Sequence, residues 1–270
     1  MREVNPLNEG WSVVVPYFNE ENFLAATLTS LAAQTLRPAR LIFVDNASTD
    51  RSRDVADDFS RAFPEIAITF LSEPEPGKVR ALKTGIGAVD TEFVALCDAD
   101  TIYPPRYLER AAALFAARPR AAAVLAFGEY RGARAPARAL LRLKWAASAA
   151  LMPRQAHSGG FGQAFRTSVL QRAGGYSNDR WPYMVADHEI IHHVGKLGGI
   201  AYSPAHFCVT SDRRLDRRRV DWTLAERLAY HLVPHSRKDW FFYKFLASRF
   251  ERRGLYNANL RVRDWEAGSA

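Results

Sequence analysis

Phe93-Val94-Ala95-Leu96-Cys97-Asp98-Ala99-Asp100 decides how the rest of the chain is read. Its five apolar residues read as a buried strand, and two carboxylates stand at its end, one residue apart, ahead of the turn residues Tyr103-Pro104-Pro105. Such a pair can hold a hard divalent cation against the phosphates of a bound nucleotide. Acidic pairs also cap helices and line turns, so the meaning of this one rests on what precedes it.

Three further strand ends precede it. Trp11-Ser12-Val13-Val14-Val15-Pro16 is a β-branched run stopped by proline, and Phe23, Leu24, Thr27, Leu28 and Leu31 follow at helical spacing. Leu41-Ile42-Phe43-Val44 is a second buried strand ending at Asp45, after which Thr49 or Asp50 can cap a helix containing Val55, Ala56 and Phe59. Ile66 to Leu71 is a third strand and Gly77 to Val89 the helix that leads to Phe93. Strands alternating with helices predict an α/β fold with a mostly parallel central sheet and helices on both faces. Ligands of such sheets sit beyond the carboxyl ends of the strands. Pro16-Tyr17-Phe18-Asn19-Glu20, Asp45-Asn46 and Asp98-Ala99-Asp100 all fall there. No Gly-x-Gly-x-x-Gly follows the first strand and no phosphate-binding Gly-x-x-x-x-Gly-Lys-Ser/Thr occurs, which disfavours dinucleotide and P-loop chemistry. An Ala/Arg-rich stretch from Arg131 to Ala150 reads as a helix with Leu140, Leu141, Leu143 and Trp145 as its apolar surface.

A chain of 270 residues, 48% hydrophobic, can bury a full core. The first ten residues are polar and unlike a secretory signal, and no apolar run approaches the roughly 18 residues of a membrane span. Cys97 and Cys208 lie inside apolar runs and read as buried thiols of a reducing compartment. The expected location is cytoplasmic, with a peripheral position on the inner face of the membrane open. Net charge is +8, and from Asp212 to Ala270 there are 14 Arg or Lys against 8 Asp or Glu. That asymmetry suggests an anionic partner or a solvated helical surface.

With these residues placed, the chain resembles the family 2 glycosyltransferases of the GT-A fold. The resemblance is carried by VVVPYFNEENFLAATLTSLAAQT (13–35), LIFVDNASTD (41–50), EPGKVRALKTGI (75–86), FVALCDAD (93–100), SGGFGQAFRTSVLQRAGGY (158–176) and VADHEIIHHVGKLGGIAYSP (185–204). It covers roughly residues 11 to 210, and it implies a catalytic domain over 1–211 with a basic, aromatic-rich helical extension over 212–270. It also implies roles. Pro16, Phe18 and Glu20 match the first nucleotide-binding loop. Asp45 matches the acid that accepts from the N3–H of uracil or thymine, with Asn46 where a second Asp is frequent. Lys78 matches the basic position near the nucleotide, with Arg80 close by. Asp98 would face the ribose or a metal-bound water, and Asp100 would ligate Mg²⁺ or Mn²⁺ at the diphosphate. Asp187 matches the expected general base, although Ala186 stands where the family usually has Glu. His188 and Glu189 are neighbours that could partly substitute for that missing acid, and Gly159 and Gly160 suit close backbone approach to an acceptor. On a helix beginning near Ala186, residues 187 and 188 point about 100° apart, so one of them addresses the acceptor.

The implied chemistry is a single displacement from a UDP-, dTDP- or GDP-type sugar onto a saccharide or lipid-linked acceptor. One base and no second carboxylate as covalent nucleophile predict inversion. A non-catalytic binding module of the same fold and a sugar nucleotidyltransferase are the alternatives; Pro16 to Glu20 lacks the Gly-rich, basic loop of the latter, and joint retention of Asp45, Asp98, Asp100 and Asp187 argues against the former. His157, His192 and His193 show no ligand spacing; His206, read as following the last strand, is a candidate to complete a metal shell. The aromatics from Trp222 to Phe250, interleaved with Arg and Lys, either pack on the catalytic domain or lie on an anionic membrane surface. No nucleic-acid reader motif is present, so nucleic acid is not an expected partner.

Overall fold

Every residue of β1 (Trp11–Tyr17) is buried, and the sheet is built outward from it. The computed structural model describes residues 10–132, 134–152, 159–211 and 222–258. β1 pairs in parallel with β2 (Arg40–Asp45) on one side and β4 (Phe93–Cys97) on the other, and β3 (Ile68–Ser72) adds in parallel beyond β2. β8 (Gly162–Arg166) is reversed between β4 and β6 (Ala121–Leu125), and β9 (Gly199–Ala201) lies parallel to β6 at the edge. The order β3-β2-β1-β4-β8-β6-β9 is the expected mostly parallel sheet. A small second sheet joins β5 (Thr101–Ile102), β10 (Phe207–Thr210) and β7 (Phe127–Tyr130).

The apolar runs are continuous because the central strands are covered on both faces. Side chains alternate across a strand. Val13, Val15, Leu41, Phe43, Ala95 and Cys97 enter one core. Val14, Ile42, Val44, Val94 and Leu96 enter the other. The first core is closed by α1 (Leu24–Ala32), α2 (Ser52–Ala62) and α4 (Tyr107–Ala117), through Leu24, Leu28, Phe59, Leu108 and Phe115. The second is closed by α3 (Lys78–Gly87), α6 (Thr167–Arg172) and α7 (Ala186–Leu197), through Leu82, Leu170, Ile190 and Val194. Gly85 lets α3 sit directly on β1, since a Cβ there would lie 2.4 Å from Val14 Cγ1.

Two local expectations shift. Asp50 stands one residue outside the cap of α2, which is Arg51; its carboxylate accepts from the N–H of Ser52 at 2.9 Å and of Glu21 at 3.1 Å, tying the helix start to the first loop. The Ala/Arg-rich stretch is a helix, α5 (Ala135–Leu151), but its Leu140 and Leu143 face solvent.

The C-terminal part forms α8 (Leu224–Leu232), α9 (Lys238–Trp240), a π-helical turn (Phe241–Leu246) and α10 (Ala247–Arg252). Its aromatics divide by face. Trp222, Tyr230, Phe241, Phe242 and Phe250 form a third core with Trp181 and Met184, whereas Leu224, Leu228, Leu232 and Trp240 are exposed. Among the described residues no helix is long and apolar enough to cross a membrane.

His206 opens β10 rather than following the last strand, so it is separated from the Asp100 end by roughly 13 Å of chain. It is buried face to face with Tyr107, ring centroids 4.6 Å apart, and among the described residues neither ring nitrogen has a hydrogen-bond partner. Burial, helped by the nearby Arg110, lowers its pKa to about 3. In the unfolded chain a histidine takes its proton near 6.5. The unfolded state therefore gains the proton first, so stability is full above about pH 6.5 and falls as the pH drops toward 3. Between pH 7 and 5 this group alone costs about 2 kcal/mol. Denaturant midpoints at both pH values should show His206→Phe losing less stability than wild type over that interval.

Candidate active site

The parallel strands β2, β1 and β4 release their chains at one edge: Tyr17 pairs with Asp45, and Val14 with Leu96. The chain winds outward from β1 through β2 to β3 and then returns to β4 on the other side of β1. The crevice between β1 and β4 is therefore a topological switch point, where open α/β sheets bind ligands.

The loop after β1 is stitched to the loop after β2. Asn19 takes a left-handed conformation (φ 50°), and its Oδ1 accepts the Thr49 N–H at 2.8 Å. The Glu20 N–H donates to Ser52 Oγ at 2.7 Å. Pro16 and Glu20 are buried and Phe18 is half-buried at the crevice edge. Asp45 Oδ1 accepts the Ser48 N–H at 2.9 Å. Asn46 works differently, bridging to the chain that follows β3. Its Nδ2 donates to the carbonyls of Glu73 and Glu75 at 2.8 and 2.7 Å, while Oδ1 accepts the Gly77 N–H at 2.9 Å. An ionised Asp could not make the two donations, so the amide suits this position.

Gly77 (φ 132°) leads into Lys78, whose ammonium is ion-paired with the Asp98 carboxylate. Arg80 pairs instead with Glu75. Asp98 and Asp100 are both buried. Asp100 accepts from Ser211 Oγ at 2.9 Å and from Thr101 Oγ1 at 3.3 Å. Ser211 reaches it because Thr210 pairs with Thr101 in the small sheet. Two carboxylates with adjacent hydroxyls make a hard, all-oxygen donor set, which fits Mg²⁺ or Mn²⁺ with phosphate oxygens and water completing the shell. Among the described residues no group of three His, Cys, Asp or Glu is placed to hold a metal alone. His157 lies outside the described residues.

Asp187 approaches the same point from α7. A Cβ on Gly160 would stand 3.2 Å from Asp187 Cβ and 3.7 Å from Lys78 Nζ, so the glycine backbone sits between the two side chains. Gly159 (φ 126°) turns the chain into that position. His188 Nδ1 is 3.3 Å from Asp187 Oδ1, and its ring centroid lies 4.7 Å from Trp222 and 5.5 Å from Tyr230. Glu189 faces the interior. It is 2% exposed, held by Arg180 Nε at 2.6 Å and by the Tyr243 hydroxyl, which His193 also reaches. Two residues further along a helix is about 200° of rotation, which carries Glu189 away from the face of Asp187. Val185, left-handed at φ 56° immediately before α7, is in a conformation a β-branched residue rarely takes. With Asn19 and Ala47, it places the left-handed non-glycine residues in the loops of the crevice.

Residues 12–172 match the family model described as Glycosyl transferase family 2. The chain belongs to that family. An uncharacterized glycosyltransferase of Nostoc is 32% identical over 104 residues, which is 38% of this chain and 32% of that protein. The undecaprenyl-phosphate 4-deoxy-4-formamido-L-arabinose transferase of Serratia proteamaculans is 31% identical over 113 residues, 41% of this chain and 34% of the relative. The matched segments thus span about a third of these curated relatives. The mannosyltransferase PcManGT of Pyrobaculum calidifontis, solved with GDP-Man and Mn²⁺, superposes with a TM-score of 0.65 over 85% of this chain and 63% of its own, at 23% identity. This likeness shows the GT-A fold.

This family 2 member also uses residues no motif disclosed. Tyr103 is fully buried; its hydroxyl accepts the Asp98 N–H at 2.7 Å and donates to the Phe161 carbonyl at 2.7 Å. Thr27 of α1 donates to the Ala99 carbonyl at 2.8 Å. Their partners lie 5 to 72 residues away, and the sequence marks Tyr103 merely as a turn. Tyr103→Phe keeps the ring but removes the hydroxyl that both backbone groups depend on. The expected loss is about 1–3 kcal/mol in equilibrium denaturation.

Proposed function

We propose that this chain transfers a sugar from a nucleoside-diphosphate sugar to an acceptor hydroxyl with inversion at the anomeric carbon. The observation that carries this reading is the convergence around Gly160, where Asp187 meets the Lys78–Asp98 pair at the switch-point crevice. Pro16, Phe18, Glu20 and Asp45 would hold the base and ribose of a UDP, dTDP or GDP donor, with Lys78 beside the phosphates. Asp100 and Asp98 would hold Mg²⁺ or Mn²⁺, which when bound offsets the charge of the departing diphosphate. PcManGT, solved with GDP-Man and Mn²⁺, supports a nucleotide-sugar donor and a divalent cation.

In the displacement, the acceptor oxygen forms the new bond to the anomeric carbon while the bond to the diphosphate breaks and its electron pair leaves with the phosphate. The hydroxyl proton passes to the Asp187 carboxylate. Gly160 keeps room for that carboxylate, and His188 braces it from the side. Residues 1–211 would form the catalytic domain. The helical segment after 212 would complete its acceptor side, because Met184 N–H bonds to the Leu255 carbonyl and Asn257 N–H to that of Pro182, both just ahead of α7. The acceptor would be a saccharide or a lipid-linked sugar of cell-envelope polysaccharide or glycolipid synthesis, met at the inner face of the membrane. The undecaprenyl-phosphate transferase among the relatives supports the lipid-linked class.

Thermal shift with UDP, dTDP and GDP, with and without Mn²⁺ or Mg²⁺, followed by a sugar-nucleotide hydrolysis screen, tests the reading. A shift that appears with cation and nucleotide together is expected; turnover of a nucleoside triphosphate with a sugar phosphate would point to a nucleotidyltransferase instead. Asp100→Ala should abolish the metal-dependent shift. Asp187→Ala should keep it yet transfer at least about 10²-fold more slowly. Normal transfer by Asp187→Ala would overturn the base assignment while leaving the family untouched.

A further inference from the structure

Two helices of this chain present rows of leucines outward. On α8 the buried side chains are Glu226 and Tyr230. Glu226 closes the capping box with Thr223 and pairs with Arg253 at 2.7 Å. Leu224, Leu228 and Leu232 stand on the opposite side, within an arc of about 80° at 100° per residue, and they are 74, 52 and 78% exposed. α5 also carries leucines outward, although its half-buried side includes Leu141 and Trp145. Arg142 folds back onto the body, paired with Glu129 and with its guanidinium 4.7 Å from the Phe207 ring. Leu140, Leu143 and Leu151 share an arc of about 80° and are 69, 67 and 80% exposed. A helix at a protein surface ordinarily does the reverse.

The inner side of α5 is packed on the body through aromatic rings. Trp145 of α5 stacks on Phe127 with centroids 6.5 Å apart, and Phe127 in turn on Tyr202 at 6.5 Å. The inner face of α8 borders the acceptor side, since its Tyr230 and the preceding Trp222 stand over His188. Trp240, half-exposed, lines a shallow groove with Leu232, Val233, Pro234 and Arg237. The exposed charges beside these apolar groups include Lys144, Arg237 and Lys244. Asp239, the acid beside Trp240, is engaged by Lys196 at 2.6 Å and His192 at 2.8 Å.

We propose that the outward leucine faces of α5 and α8, with Trp240, dock this protein on an anionic phospholipid bilayer. Leucines inserted below the headgroups, a tryptophan at their level and a basic rim against phosphate are the components of interfacial adsorption. A protein partner would account for the leucines alone; the basic rim selects the anionic surface. This deepens the lipid-linked reading above by saying how such an acceptor would be brought beside Asp187. Its test nevertheless reads adsorption and not transfer.

The experiment is co-sedimentation of the full chain with phosphatidylcholine vesicles containing or lacking phosphatidylglycerol. Wild type should partition to the anionic vesicles. Leu228→Glu/Leu232→Glu and Leu140→Glu/Leu143→Glu should each weaken partitioning at least tenfold, with circular dichroism and sugar-nucleotide hydrolysis in solution unchanged. Lys144→Gln/Arg237→Gln/Lys244→Gln, which leaves every apolar group in place, should weaken it tenfold or more on anionic vesicles. Equal partitioning of the leucine variants, or none by wild type, would overturn the proposal. So would a wild-type dimer in light scattering that the leucine substitutions turn into monomers, because a second copy would then be the occupant. Loss of hydrolysis with adsorption intact would count against sugar transfer alone.

Discussion

Asp98 and Asp100 sit where water is largely excluded, and an anion in such a place needs compensation close by. The rest of the site can be read as the means of supplying it. Lys78 gives Asp98 a formal opposite charge, and the hydroxyls of Ser211 and Thr101 donate to Asp100. The backbone between the two acids is clamped as well, by Thr27 on the Ala99 carbonyl and by Tyr103 on the Asp98 N–H. The loop therefore cannot swing its carboxylates toward solvent without stranding buried backbone groups, at a cost of about 1–3 kcal/mol for each one. The carboxylates are thus held in place by these contacts.

The Asp187 side of the crevice depends on a different set of ties. The segment that turns into α7 is fastened to the C-terminal chain by Met184 and Asn257, with Trp181 closing the turn through its indole N–H on the Met184 carbonyl at 2.7 Å. Within α7, Glu189 is locked between Arg180 and Tyr243. Tyr243 belongs to the π-helical turn, whose wider winding presents its hydroxyl to α7 while Phe241 and Phe242 stay in the core. Such ties can hold Val185 in its left-handed conformation, because no single local interaction has to offset the strain.

How much of this the sequence discloses follows from burial. The central strands are legible because two covered faces leave room only for apolar residues, and the acids are legible because they interrupt those runs at strand ends. Asn46 is visible but its bridging role is not, since the carbonyls of Glu73 and Glu75 come from another loop. Glu189 beside Asp187 looks like a second acid of the site until the helical rotation between them is drawn. His206 is misplaced because sequence order does not say at which end of its strand Asp100 lies. In the C-terminal part, periodicity works against the reader: the leucines of α8 have helical spacing, yet the fold buries Glu226 and Tyr230.

That inversion sets the leucine stripe and the neighbourhood of Asp187 on two sides of one helix. Tyr230 touches His188 on one side and the rings of Trp222, Phe241 and Phe242 on the other, and Lys238 donates to its carbonyl from beneath. The inner face of α8 is thus part of the wall beside Asp187, and its outer face is the leucine stripe. A helix nine residues long is about 14 Å from end to end and about 10 Å across. Whatever rests on the stripe therefore lies about one helix diameter from the wall beside Asp187. The closeness follows from α8 itself: with Glu226 and Tyr230 committed to the protein, its leucines have only one direction left to face.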